Sequence, residues 1–87
     1  MDKNDQLFAS LVYIFQATAM QGLGKIKNPV TDKIERNMEQ AQQAIDMLEM
    51  IKKKTKGNLN SDMTRLLDTF LTELRLNFID EMNKPQP

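Results

Sequence analysis

Four groups of residues in this 87-residue chain have types and spacings that could do chemistry. "GLGK" at 22–25 offers the glycines and lysine of a phosphate loop. "KKKTKGN" at 52–58 gathers four lysines that could hold a nucleotide or an RNA backbone. Glu35 with Glu39, and Asp46 with Glu49, put paired carboxylates on one side of a helix, as a bundle metal site requires. Six internal methionines (Met20, Met38, Met47, Met50, Met63 and Met82) could form an adaptable apolar contact surface.

Each group also has a plainer reading. A phosphate loop needs G-x-x-x-x-G-K-[ST] after a strand, whereas Ile26 follows Lys25 and the preceding segment has helical character, so "GLGK" reads as a helix end. The lysine run has no arginine fork or aromatic platform beside it, and cations suit the negative end of a helix dipole. The carboxylates lie off the apolar seam and have no histidine to complete a metal site. Met38 and Met63 fall on seams and read as core, while Met47 and Met50 flank a seam and suit a partner contact.

Composition removes whole classes of activity. With no cysteine and no histidine there are no thiol nucleophiles, disulfides, Cys/His zinc sites or histidine bases. No acid–base pair with an orienting partner is visible, so no enzyme activity and no cofactor is expected. Twelve cations balance twelve anions, and no net field draws the chain to nucleic acid or anionic lipid. By segment, residues 25–57 carry eight cations to five anions and residues 58–87 carry three to five.

Three helices must position these groups. Three glycines and three prolines are too few for a sheet protein, and they cluster at 22–29, at 57 and at 85–87. The predicted helices span about 5–22, 29–56 and 61–82, forming one domain over 1–82 with a disordered tail at 83–87. Asn28 reads as the cap of the central helix with Pro29 at its first position, and Ile34, Met38, Ala41, Ile45 and Leu48 form its seam. That makes it a long central helix of about 27 residues, roughly 40 Å. Met63, Leu66, Leu67, Phe70, Leu71, Leu74 and Phe78 make a broader stripe on the third, which Leu76 and Ile79 fall outside.

The first helix is unlike the others: residues 7–24 hold no charged side chain. Gln16, Thr18, Gln21 and two glycines interrupt it too soon for a membrane span. "LFASLVYIF" followed by "ATA" imitates a signal peptide, but "MDKND" gives it two aspartates for one lysine where a positive start is expected. Its apolar residues fill about half the helical circumference, wider than the usual ~100° stripe. Leu7, Phe8, Leu11, Val12, Phe15 and Ala19 are therefore the candidate self-association residues, most simply in a twofold dimer. Gln16 on the far side should find a hydrogen-bond partner across an interface or in the turn "KIKNPVT".

"LVYIFQ", "LGKI", "NPVT" and "KTKGNL", within a stretch from about Leu7 to Asp80, resemble a small bacterial family, domain-of-unknown-function family 1844. The resemblance implies a small cytoplasmic bacterial protein, and it implies no activity, cofactor or catalytic residue.

The expectation is thus an all-α, three-helix antiparallel bundle that associates as a helical dimer. It would act as an interaction or scaffold module, with itself and another protein as partners and no membrane. A nucleotide- or RNA-binding module is the alternative. An antiparallel dimer could bring the loop at 22–30 of one copy to the loop at 56–60 of the other. Lys25, Asn28, Thr31, Lys54, Lys56 and Asn58 are therefore the candidate ligand contacts.

Overall fold

Three short polar side chains start the three helices. Asp2 accepts from the Asp5 amide at 2.7 Å, Asn37 from the Gln40 amide at 3.1 Å and Asn60 from the Met63 amide at 2.9 Å. They open α1 (Lys3–Gly22), α2 (Met38–Lys54) and α3 (Ser61–Met82) in a computed structural model that describes residues 2–85. Among the described residues the β structure is one isolated bridge, Asn28–Lys33.

The helices run up, down and up. At one end the Asn60 side-chain amide donates to Asp5 at 2.9 Å, and at the other Lys25 donates to Glu81 at 2.9 Å, so α1 and α3 are parallel. Between them, Lys52–Asp68 at 2.6 Å and Arg75–Glu49 at 2.8 Å fix the antiparallel register of α2 and α3.

One apolar core lies between the helices, with Val12, Leu23, Leu48, Leu67, Leu71 and Leu74 almost wholly withdrawn from water. Each such side chain is worth about 1.5–3 kcal/mol relative to leaving it exposed. Met63 is buried too, and Leu66, Phe70 and Phe78 pack half-buried around the core, so the α3 stripe is as expected. Leu76 and Ile79 stand exposed. The Tyr13 and Phe70 rings meet edge to face, centroids 5.1 Å apart, joining α1 to α3.

The central helix is the main departure from expectation. It begins at Met38, not near 29, and its 17 residues make it the shortest of the three, about 25 Å long. Asn28 uses the chemistry of a helix cap in a turn instead. Its side chain accepts from the Val30 amide at 2.9 Å, and its backbone carbonyl accepts from the Asp32 amide at 2.7 Å. Asp32 then takes a left-handed conformation (φ 57°), which ends any helix at that point. Ile34 is consequently 55% exposed instead of lying on the seam.

The "GLGK" stretch is a helix end. The Lys25 amide donates to the Met20 carbonyl at 2.9 Å and the Gly24 amide to Gln21 at 3.0 Å, with Gly24 left-handed at φ 75°. Of the expected tail, residues 83–85 are placed against α3 and the first loop. The Asn83 amide donates to Ile79 and Asp80, and the Pro85 carbonyl accepts from Arg36 at 3.4 Å. Met1, Gln86 and Pro87 lie outside the described residues.

Candidate functional site

Three surfaces follow from this fold. The first is on α1. Of its six candidate self-association residues, Val12 and Ala19 are fully buried in the core and Phe8 and Phe15 pack half-buried against it. Leu7 and Leu11 remain exposed, and Ile14, which completes their i, i+4, i+7 stripe, is exposed as well. The bundle covers the side of α1 carrying Ala9, Val12 and Ala19, so the covered side is rotated relative to the apolar one. Small residues explain the rotation. A Cβ on Gly22 would sit 2.7 Å from both the Ala41 nitrogen and the Asn37 carbonyl oxygen, so α1 and α2 touch backbone to backbone there.

An open groove runs between this edge of α1 and α2. Phe15, Thr18, Gln40, Gln43 and Met47 line it, and Met47 and Met50 are both partly exposed. The amide that crosses it is Gln40, donating to the Thr18 carbonyl at 3.1 Å. Gln16 makes no hydrogen bond among the described residues, so the turn "KIKNPVT" does not supply its partner.

The second surface is a cleft of about 470 Å³ between α2 and α3, under the loop 55–60. Lys52, Lys53, Lys56, Glu49 and Arg75 supply its charged lining, and Leu59 and Leu67 its apolar floor. Lys52 is paired with Asp68 and Arg75 with Glu49. Lys53 and Lys56 have no ion pair among the described residues.

The third is a charge cluster at the opposite end of the bundle. The Glu81 carboxylate, buried at 7% exposure, takes Lys84 at 2.7 Å and Lys25 at 2.9 Å, with Arg36 Nε at 3.7 Å. Arg36 also donates through Nη2 to the Glu81 backbone carbonyl. Asp80 lies at the edge, 3.3 Å from Lys84 and 3.9 Å from Lys25. Hydrogen bonds from Lys84 and then Lys25 hold the Glu81 carboxyl down at about 2, against an ordinary 4.5. The same contact with Glu81, then that with Asp80, raises the Lys84 ammonium above its ordinary value.

The candidate ligand contacts divide between the two ends. Lys25 is tied to Glu81 and Asn28 to its own turn, with exposed Thr31 beside it. Lys54 ends α2 and Lys56 and Asn58 follow it at the far end, roughly 25 Å away, so one chain does not bring the two sets together. Lys56 lines the cleft; Lys54, one residue beyond Lys53, does not. The cleft's floor and Thr64 had no signal in the sequence, because they meet only when α3 folds back on α2.

Among the described residues, no cluster of acidic groups could hold a metal ion, and no helix is long and apolar enough to cross a membrane. The profile of the domain of unknown function DUF1844 matches residues 5–80. The chain belongs to this family. No curated protein and no solved structure matches this DUF1844 chain.

Proposed function

We propose that this DUF1844 chain is a non-enzymatic interaction module of the bacterial cytoplasm that dimerises about a twofold axis through α1 and presents the assembled surface to a protein partner. One observation carries the reading: Leu7, Leu11 and Ile14 stand 58%, 42% and 60% exposed along one stripe of a helix that holds no charge from residue 7 to 22. A twofold axis sets such a stripe against its own copy, and without charges it meets itself with no repulsion to overcome. Met47, across the adjoining groove, and exposed Met50, three residues further along α2, supply soft apolar surface for the same contact.

Light scattering across a hundredfold concentration range tests it. The expected mass is twice the 10.1 kDa of the chain, falling to that of the monomer in Leu11→Glu with helical circular dichroism unchanged. A monomeric mass at every concentration would overturn the reading.

Nucleotide or RNA binding at the lysine-rich end of α2 is the second reading, favoured by Lys53, Lys54 and Lys56 having no ion pair among the described residues. Salt-dependent retention of an oligonucleotide, lost on replacing Lys52, Lys53 and Lys54 with Gln, would support it over the first.

A further inference from the structure

We propose that the α2–α3 cleft binds a phosphate monoester carried on a short aliphatic body. Its volume of about 470 Å³ lies within the ~300–1,000 Å³ range of small-molecule pockets. Thr64 and Arg75 on its α3 wall are eleven residues apart, about 16 Å, so the cleft is a trough and not a round hole.

Charge selects the ligand class. Two of the four cations lining the trough are neutralised, Lys52 by Asp68 at 2.6 Å and Arg75 by Glu49 at 2.8 Å. Lys53 and Lys56 are left, three residues apart across the end of α2, with a combined charge of two and no partner carboxylate among the described residues. The helix termini do not change this balance. The negative end of α2 and the positive end of α3 meet at the same loop and oppose each other.

Neutral donors are also committed. The Thr55 hydroxyl donates to the Ile51 carbonyl at 2.7 Å and the Thr64 hydroxyl to the Asn60 carbonyl at 3.0 Å. The two ammonium groups are therefore the side-chain donors with no carboxylate partner among the described residues, and as point charges they suit a phosphate dianion. Half-buried Leu59 then lies beside whatever the phosphate carries, with the core residue Leu67 beneath it. No aromatic side chain lines the trough, so a nucleobase has nothing to stack on and an aliphatic body is the better match.

The test is an NMR titration of the ¹⁵N-labelled full chain with hexyl phosphate, inorganic phosphate and hexanol. Hexyl phosphate should move the Leu59, Thr64 and Leu67 amides saturably and bind about tenfold or more tightly than inorganic phosphate, while hexanol should not saturate. The double variant Lys53→Gln, Lys56→Gln should lose about tenfold or more, and Lys54→Gln, outside the trough, should stay within about twofold. Leu11→Glu should leave this binding unchanged, which separates it from the proposed dimer. Sedimentation with phosphatidic acid vesicles distinguishes the sources: pelleting assigns a membrane-borne ester, and retention in solution a soluble one. The proposal is overturned if inorganic phosphate binds as well as hexyl phosphate, or if Lys54→Gln costs as much as the double variant. An oligonucleotide that displaces hexyl phosphate and binds more tightly would overturn it in favour of the nucleic-acid reading.

Discussion

Gly22 at the end of α1 lies so close to Ala41 on α2 that a Cβ on the glycine would stand 2.7 Å from the Ala41 backbone nitrogen and 3.1 Å from its Cα. Intrinsic propensity favours alanine over glycine inside a helix by about 1 kcal/mol. Here the obstructing atoms are backbone and cannot swing aside, so packing decides the sign. Gly22→Ala should lower the stability by about 1–3 kcal/mol, read as a lower urea midpoint at unchanged slope. An equal or higher midpoint would mean the helices are further apart than described.

Leu11 and Val12 are neighbours in sequence with opposite surroundings, one 42% exposed and the other fully buried. Val12→Ala should cost the monomer fold about 1–3 kcal/mol through lost burial and a residual cavity. Leu11→Ala should stay within about 0.5 kcal/mol under dilute, monomeric conditions, yet weaken self-association. Chemical denaturation at two protein concentrations separates the effects.

Acid should release the first loop before the helices. Glu81 has a folded value near 2 against an ordinary 4.5, so the folded state favours its ionised form. The tie is complete above about 4.5 and is lost as pH falls toward 2. The amide shifts of Lys25 and Arg36, whose side chains hold Glu81, should move in that window, and Glu81→Gln should markedly reduce the movement. Lys84 has the opposite sign: its contribution is complete below its ordinary 10.5 and fades as pH rises through its raised folded value.

The true start of α2 is also open to test. Asn37→Ala removes a cap that accepts from the Gln40 amide and should cost about 1 kcal/mol, with some loss of helical circular dichroism. Asn28→Ala should leave the helical signal intact, because its hydrogen bond serves a turn. Equal loss from both would restore a helix beginning near 29.

Those two asparagines show where sequence reasoning failed. An Asn followed by Pro is as good a turn as a helix start, since both put the side-chain oxygen on a nearby amide. What decides between them here is distant. The Asn37 amide donates to the Gly22 carbonyl at 2.8 Å, and Arg36 reaches Glu81. Local periodicity cannot register either contact. By contrast, α3 runs from its Asn60 cap over the expected span because its stripe and its cap agree. On α1 the apolar half was legible, but which part of it the bundle would cover depended on small residues at the α2 crossing. Of the cleft, only the lysines were legible, because its other wall comes from a separate helix.

The contacts around Glu81 also bind together the fates of two distant segments. Lys25 and Glu81 are 56 residues apart in the chain, yet the loop between α1 and α2 is held chiefly through the last turn of α3. Such a tie defines a unit of local opening that follows neither helix boundaries nor chain order. In native-state hydrogen exchange, the bridged amides of Asn28, Asp32 and Asn37 should exchange at a rate shared with those of Asn83 and Lys84. The loop at 55–60, on the far side of the bundle, should open on its own schedule. The molecule would then breathe at its two ends independently, with the middle of the core as the slow, common barrier between them.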